Sequence, residues 1–132
     1  MATQNAQIKT ILIAEDDDLN FKFLEIIIRM AGYNVLWAEN GVIAVDICRE
    51  QHISLVLMDI RMPWMDGLEA TKIIRSFNPT IPVIAQTAYA LSGDHETARK
   101  AGCTMFITKP IDRKTVLSII EELLQNENAE VM

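Results

Sequence analysis

The segment Leu55–Asp59 has the sequence LVLMD, four apolar residues that run directly into a carboxylate, and Met62–Gly67 follows with MPWMDG. A short apolar run without alternation is typical of a strand that is buried on both faces. Open parallel sheets keep their binding crevice at the carboxyl ends of the strands, where Asp59 would lie. We therefore interpret Asp59 as a reactive carboxylate in that crevice.

The composition indicates one globular domain. The 132 residues are 50% hydrophobic and 23% charged, which is typical of a folded protein and not of a disordered one. A chain of this length buries about two-thirds of its unfolded surface. We assign residues 9–125 to the domain, residues 1–8 to an N-terminal extension and residues 126–132 to a polar, frayed C-terminal tail.

Charge and hydropathy exclude several partners. The net charge of −6 argues against direct nucleic-acid binding, which depends on Lys and Arg at phosphates. No apolar run approaches the roughly 20 residues of a membrane helix, and the polar residues 1–7 do not resemble a signal peptide. We therefore expect a cytoplasmic protein without membrane contact. In that setting Cys48 and Cys103 are expected to be two buried thiols and not a disulfide. The oligomeric state is not predicted.

Strand-like and helix-like runs alternate five times along the chain. The predicted strands are residues 10–14, 33–38, 55–59, 83–87 and 103–107, and the predicted helices are residues 19–30, 41–51, 67–77, 92–100 and 113–125. Strict alternation predicts an α/β domain with a parallel sheet, helices on both faces and right-handed crossovers. In the first helix, Phe23, Ile26, Ile27 and Met30 form one apolar face.

Polar residues at the predicted helix starts are candidate N-caps. Either Asp17 or Asp18 would cap the first helix, and Asn40 the second. Asp66 begins a capping box for the third helix, Ser92 can cap the fourth and Asp112 the last.

Polar side chains follow four of the predicted strands at one edge of the sheet. They are Glu15 and Asp16 after the first strand, Asp59 after the third, Thr87 after the fourth and Lys109 after the fifth. Carboxylates about 4 Å apart repel by on the order of 4 kcal/mol per pair at an effective dielectric constant near 20. A hard divalent cation would relieve this repulsion, and a site of few carboxylates with room for waters and phosphate oxygens favours Mg²⁺. An acid beside a metal, an ammonium and a hydroxyl is suited to accept a phosphoryl group.

These residues, in this order, resemble the receiver domains of two-component response regulators. The similarity rests on Glu15-Asp16, Asp59, Thr87 and Lys109-Pro110, and on the MPWMDG sequence of Met62–Gly67 after the acid. It extends over about residues 9–125. The resemblance implies a three-layer flavodoxin-like (βα)5 fold with strand order 2-1-3-4-5.

The resemblance also implies a role for each acidic residue. Asp59 would be the phosphoacceptor, which takes a phosphoryl group from a phosphohistidine on a histidine kinase or a histidine phosphotransfer domain. Asp16, Asp59 and the backbone carbonyl of Arg61 would bind Mg²⁺ directly, and Glu15 would act through a metal-bound water. As an isolated domain the chain would catalyse only its own phosphorylation and dephosphorylation.

The remaining assignments concern phosphate binding and switching. Thr87 and Lys109 would hold phosphate oxygens, and Phe106 would move inward with Thr87 on activation. The switched face would consist of the fourth helix, the fifth strand and the fifth helix. The Lys109–Pro110 peptide bond would be cis.

The sequence QTAYA at residues 86–90 is most similar to receivers of hybrid histidine kinases, so the chain is either a fragment of such a kinase or a free-standing receiver. Arg61 and Tyr89 depart from the common pattern and border the crevice, where they would affect the lifetime of the phosphorylated state. Trp64 either anchors a partner or packs on its own domain.

Three other functions remain open at this point. An aspartyl-phosphate phosphatase would usually carry a second acid two residues after its nucleophile, where this chain has Arg61. A flavodoxin-type electron carrier would need a phosphate-binding loop after the first strand, and the acids there would repel the flavin phosphate. A receiver that has lost phosphorylation could still dock partners.

Overall fold

Five strands alternate with five helices along the chain. The computed structural model describes residues 7–88 and 92–131, with side chains described over 7–88 and 95–125. The elements are β1 (Thr10–Ala14), α1 (Asp18–Met30), β2 (Asn34–Ala38), α2 (Gly41–Glu50), β3 (Leu55–Asp59), α3 (Gly67–Phe77), β4 (Val83–Thr87), α4 (Ser92–Ala101), β5 (Met105–Thr108) and α5 (Arg113–Val131).

The strands form one parallel sheet in the order β2-β1-β3-β4-β5. Every residue of β3 and β4 is buried, as expected for central strands covered on both faces. The flavodoxin-like fold and its strand order are thereby confirmed. All five carboxyl ends lie at one edge, and β3, the strand that ends in Asp59, is at the centre of the sheet.

Two apolar cores lie on opposite faces of the sheet. One joins the strands to α1 and α5 through residues such as Ile28 and Ile120, and the other joins them to α2 and α3 through residues such as Val45 and Ile74. The alternation of side chains along each strand divides the strand residues between the two cores. The predicted three-layer arrangement follows from this division.

The apolar face predicted for α1 is not the face that packs on the sheet. Ile27 is buried, but Phe23, Ile26 and Met30 are exposed, and the buried positions are Phe21, Leu24, Ile27 and Ile28. Because α1 has apolar residues on both sides, two stripes with helical spacing compete in the sequence. The sheet selects the one that begins at Phe21.

We expect matched truncations on α1 to separate the two stripes. Ile28→Ala should lower the free energy of unfolding by about 2–5 kcal/mol, because the fully buried side chain (0% exposed) would leave a cavity. Ile26→Ala should change it by less than about 1 kcal/mol, because this side chain is 56% exposed. Urea denaturation measures both values. Equal losses would contradict this orientation of α1.

Four predicted N-caps are confirmed, and Asp17 is the one that caps α1. The side chains of Asp17, Asn40, Asp66 and Asp112 each accept a hydrogen bond from the backbone N–H three residues further on, at 2.8–2.9 Å. Each satisfies one of the unpaired donors at a helix start. The capping side chain of Ser92 and the ring of Tyr89 lie outside the described residues.

Two further expectations need correction. Helix α5 continues to Val131, so residues 126–131, which were assigned to a frayed tail, are helical. Polarity alone does not end a helix, and this stretch contains no Gly or Pro. Both cysteines are free, as expected, but only Cys48 is buried, whereas Cys103 is partly exposed. Among the residues described, no helix is both long and apolar enough to span a membrane.

Candidate functional site

Three carboxylates converge at the carboxyl ends of β1 and β3. Glu15 and Asp16 directly follow β1, and Asp59 is the last residue of β3. One carboxylate oxygen from each lies within 4.8 Å of the other two. Glu15 and Asp59 are only 1% and 5% exposed, whereas Asp16 is exposed. The cluster therefore has two buried acids and one that faces solvent.

Lys109 bridges the two buried acids. Its Nζ lies 2.9 Å from Asp59 Oδ2 and 3.3 Å from Glu15 Oε1. Burial lowers the pKa of the Lys109 ammonium, but the hydrogen bond and charge of Asp59, together with those of Glu15, outweigh burial and raise it above its ordinary value. Lys109 thus stays charged at neutral pH.

One ammonium does not balance three carboxylates. The pKa of Glu15 is raised to about 7, first by burial, then by the charge of Asp59 and by a side-chain hydrogen bond with Asp59, while Lys109 acts in the opposite direction. Without a further cation, Glu15 therefore takes up a proton near neutral pH.

The raised pKa of Glu15 predicts a pH-dependent stability. Since the folded-state pKa of about 7 exceeds the ordinary 4.5, Glu15 stabilises the fold fully below about pH 4.5, and this contribution is lost as pH rises through 7. In the wild-type protein the free energy of unfolding should therefore fall by about 3 kcal/mol between pH 4.5 and 8. In Glu15→Gln, which cannot titrate at this position, this decrease should be absent. Urea denaturation in a metal chelator gives this difference between the variant and wild type. Parallel pH profiles would refute it.

The loop after β3 packs closely against Asp59. The Arg61 N–H donates to Asp59 Oδ1 at 3.1 Å, and the Gly67 N–H donates to the Ile60 carbonyl at 2.9 Å. A Cβ at Gly67 would collide with the backbone oxygen of Asp59, so only glycine permits this approach. The loop is thereby held in register with the carboxylate that it follows.

Trp64 is the most unusual residue of this loop. The Met65 N–H donates to the Pro63 carbonyl at 2.8 Å around Trp64, whose φ is 70°, and this three-residue γ-turn is a rare and strained conformation. The Trp64 side chain is 87% exposed. It does not pack on its own domain, so the anchor for a partner remains the prediction.

Thr87 is the last residue of β4, and Phe106 lies in the neighbouring strand β5. Thr87 is buried at the end of β4, and its carbonyl accepts from the Lys109 N–H at 2.7 Å. Phe106 in β5 is half-buried, and its ring lies against His95 with centroids 3.8 Å apart. The Lys109–Pro110 peptide bond is cis, as expected.

One contact to the acid cluster was not predicted from the sequence. The Trp37 indole N–H donates to the Glu15 backbone carbonyl at 2.7 Å, and its ring stacks on Phe21 with centroids 4.3 Å apart. Trp37 lies in β2, Glu15 directly follows β1, and Phe21 lies in α1. The only signal in the sequence is the position of Trp37 near the end of a strand that neighbours β1.

The donor set fits a hard divalent cation. It consists of carboxylate oxygens, and the exposed Asp16 leaves one side of the cluster open to water and to a phosphate oxygen. A dication would neutralise charge that Lys109 leaves uncompensated. The residues therefore fit Mg²⁺, the metal predicted from the sequence.

Comparisons with known proteins agree with this geometry. Residues 11–121 match the family described as response regulator receiver domain. The polar-differentiation response regulator DivK of Brucella ovis is 40% identical over 118 residues, which cover 88% of this chain and 96% of the relative. These similarities support the phosphoacceptor function and give no support to the phosphatase alternative.

Two solved structures are similar over most of the chain. The receiver domain of a sensor histidine kinase from Pseudomonas aeruginosa, with Mg²⁺ in its active-site cleft, has a TM-score of 0.84 and 34% identity, covering 90% of this chain and 99% of that one. The receiver domain of Ssk1 from Saccharomyces cerevisiae, solved with the histidine phosphotransfer protein Ypd1, has a TM-score of 0.83, 29% identity and 88% coverage of both chains. This chain therefore belongs to the receiver domains of two-component signalling.

Proposed function

We propose that Asp59 is the residue that accepts the phosphoryl group. The observation that carries this assignment is the direct ion pair of Asp59 with Lys109 inside the acid cluster at the end of β3. An Asp59 oxygen attacks the phosphorus of a phosphohistidine, the phosphorus–nitrogen bond breaks, and the imidazole leaves with the electron pair. Such transfers depend mainly on alignment and charge neutralisation.

The acid cluster would hold Mg²⁺ during this transfer. Asp16, Asp59 and the Arg61 carbonyl would be direct ligands, and Glu15 would act through a water. When bound, the ion neutralises charge on the phosphoryl oxygens. The same cation would favour the ionised form of Glu15, because a nearby positive charge lowers the pKa that burial and Asp59 raise.

Lys109 and Thr87 would hold the phosphoryl oxygens and so couple phosphorylation to a change in conformation. We infer that Thr87 and Phe106 then move together, and that the face formed by α4, β5 and α5 shifts between two populations. A shift from 1:99 to 99:1 requires about 5.5 kcal/mol of differential stabilisation. Contacts of a dianion with Lys109 and Thr87 are the proposed source.

The phosphodonor would be a histidine kinase or a histidine phosphotransfer domain. The yeast complex supports this class, because a receiver domain of the same fold was solved with a histidine phosphotransfer protein. On this proposal the isolated domain catalyses only its own phosphorylation and dephosphorylation. Its place in a hybrid kinase and its cytoplasmic location stay predictions from the sequence.

Chemical trapping tests the acceptor directly. The protein is incubated with acetyl phosphate in the presence and absence of Mg²⁺, and the acyl phosphate is then reduced with borohydride. We expect Mg²⁺-dependent uptake of one phosphoryl group and conversion of Asp59 to homoserine, located by peptide mass spectrometry. Reduction at another acid would overturn the assignment of Asp59.

The metal ligands are tested by a matched pair of variants. Asp16→Ala should weaken Mg²⁺ binding by at least about tenfold, since the loss of one charged ligand exceeds about 1.4 kcal/mol. Asp18→Ala should have little effect, because Asp18 lies in the first turn of α1 and outside the cluster. Isothermal titration with Mg²⁺ measures both. Equal losses would mean that Asp16 is not a ligand.

A further inference from the structure

Gln86 is a buried amide without a hydrogen-bond partner. Its side chain is 0% exposed, and neither Oε1 nor Nε2 has a partner among the described residues. Its backbone carbonyl, in contrast, accepts from the Ile60 N–H at 3.0 Å. Only the side chain is therefore left unpaired.

The position of Gln86 connects this amide with the phosphorylation site. In the parallel register Gln86 is the partner of Asp59 on β3 and of Ile107 on β5. Registered residues of neighbouring strands, about 4.8 Å apart, point to the same face of the sheet. The side chains of Gln86 and Asp59 therefore extend from neighbouring strands on the same face of the sheet, which carries Ile84 and the apolar core under α5.

An unpaired buried amide lowers the stability of the unphosphorylated domain. Losing the hydrogen bonds of such a group lowers a folding equilibrium constant by roughly five- to a hundredfold, or about 1–3 kcal/mol at 1.4 kcal/mol per tenfold change. An apolar side chain of similar shape at this site would avoid that cost. The cost is offset if the amide is paired in a second state of the domain.

The hydrogen bonds around Asp59 are expected to change when this residue is phosphorylated. Lys109 carries three ammonium hydrogens and donates to Glu15 and Asp59. An acyl phosphate at Asp59 moves negative charge from the carboxylate outward, and so changes what Lys109 and its neighbours pair with. A primary amide supplies both an acceptor and two donors for such a rearrangement.

We propose that Gln86 is a positioning residue of the phosphorylated state. Its Oε1 accepts from Lys109 and its Nε2 donates to the acyl oxygen of Asp59 once the phosphoryl group is attached, whereas in the unphosphorylated domain both atoms are unpaired. This inference rests on the proposed function of Asp59. On this proposal the hydrogen bonds of Gln86 stabilise the phosphorylated state and not the unphosphorylated one.

The variant Gln86→Met tests the proposal, because methionine has a similar shape and forms no comparable hydrogen bond. In the unphosphorylated domain we expect the folding equilibrium constant to rise several-fold in urea denaturation. With saturating Mg²⁺, we expect beryllofluoride, a phosphoryl mimic, to bind about five- to a hundredfold more weakly. Opposite signs for the two states are the signature of a state-selective amide.

A constant structural role predicts a different result. If the amide were paired in both states, Gln86→Met would lower stability and leave beryllofluoride affinity unchanged, and either result overturns the proposal. Failure of the variant to fold would also overturn it. The control Thr71→Val removes a buried hydroxyl that is paired with the Gly67 carbonyl at 2.8 Å, and it should lower stability.

A spectroscopic measurement on the wild-type protein completes the test. The side-chain NH₂ signals of Gln86, assigned by their absence in Gln86→Met, should shift downfield on addition of beryllofluoride and Mg²⁺. Unchanged signals in a protein that binds beryllofluoride would refute only the role of Gln86. A wild-type protein that does not bind beryllofluoride would instead refute the proposed function.

Discussion

Asp59→Asn is expected to abolish phosphoryl uptake from acetyl phosphate while the domain remains folded. An amide is not a nucleophile toward phosphorus. Among the described acids, Asp59 is the one that contacts both Lys109 and the backbone N–H of Arg61. Asparagine has nearly the same shape and keeps an oxygen that can accept from Lys109. Intact-mass spectrometry measures the uptake, and circular dichroism monitors the fold.

The response to Mg²⁺ distinguishes a lost nucleophile from a lost ligand. Uptake by Asp16→Ala should recover at high Mg²⁺ concentration, because a weakened site can be saturated by mass action. Uptake by Asp59→Asn should not recover at any concentration. If excess Mg²⁺ restored uptake to Asp59→Asn, another residue would be the acceptor.

Gly67→Ala should lower both the stability of the fold and the affinity for Mg²⁺. The added Cβ would meet the backbone oxygen of Asp59, and because the backbone fixes the positions of both atoms, a side-chain rotation cannot relieve the overlap. We expect a loss of at least about 3 kcal/mol, at the upper end of overpacking effects, and a melting temperature about 10 °C lower. Because the loop would move away from Asp59, Mg²⁺ affinity should also fall.

Gly32→Ala is a suitable control for this substitution. Gly32 follows α1 with φ of +102°, and a Cβ there would meet nothing within 4 Å. Its cost of about 1–2 kcal/mol comes from the left-handed conformation alone. Differential scanning calorimetry and Mg²⁺ titration of both variants are decisive, since an equal loss of Mg²⁺ affinity would show that Gly67 has no specific role at the site.

The topology of the sheet explains why much of the site could be predicted. Unbroken apolar runs such as LVLMD mark strands buried on both faces, and parallel strands place their final residues at one edge. Glu15, Asp16, Asp59 and Lys109 could therefore be brought together without coordinates. The chemistry of these side chains suggests a cation and a phosphoryl group, whereas the role proposed for each residue comes from the family pattern.

The features that could not be predicted depend on contacts between distant segments. The orientation of α1 was wrong because two apolar stripes have the same helical period, and the sequence does not contain the shape of the sheet that selects one. The fit of Gly67 against Asp59 and the unpaired amide of Gln86 depend on distances between backbone segments. A residue-by-residue pattern does not contain those distances.

The two tryptophans of the chain differ in their exposure to solvent, so their fluorescence can be distinguished. Trp64 is almost fully exposed, so a soluble quencher such as iodide should suppress its emission. Trp37, bonded to the Glu15 carbonyl and stacked on Phe21, should supply the emission that remains. Its indole is thus an intrinsic optical probe one hydrogen bond away from the carboxylate cluster, and cation binding can be followed in the unlabelled protein.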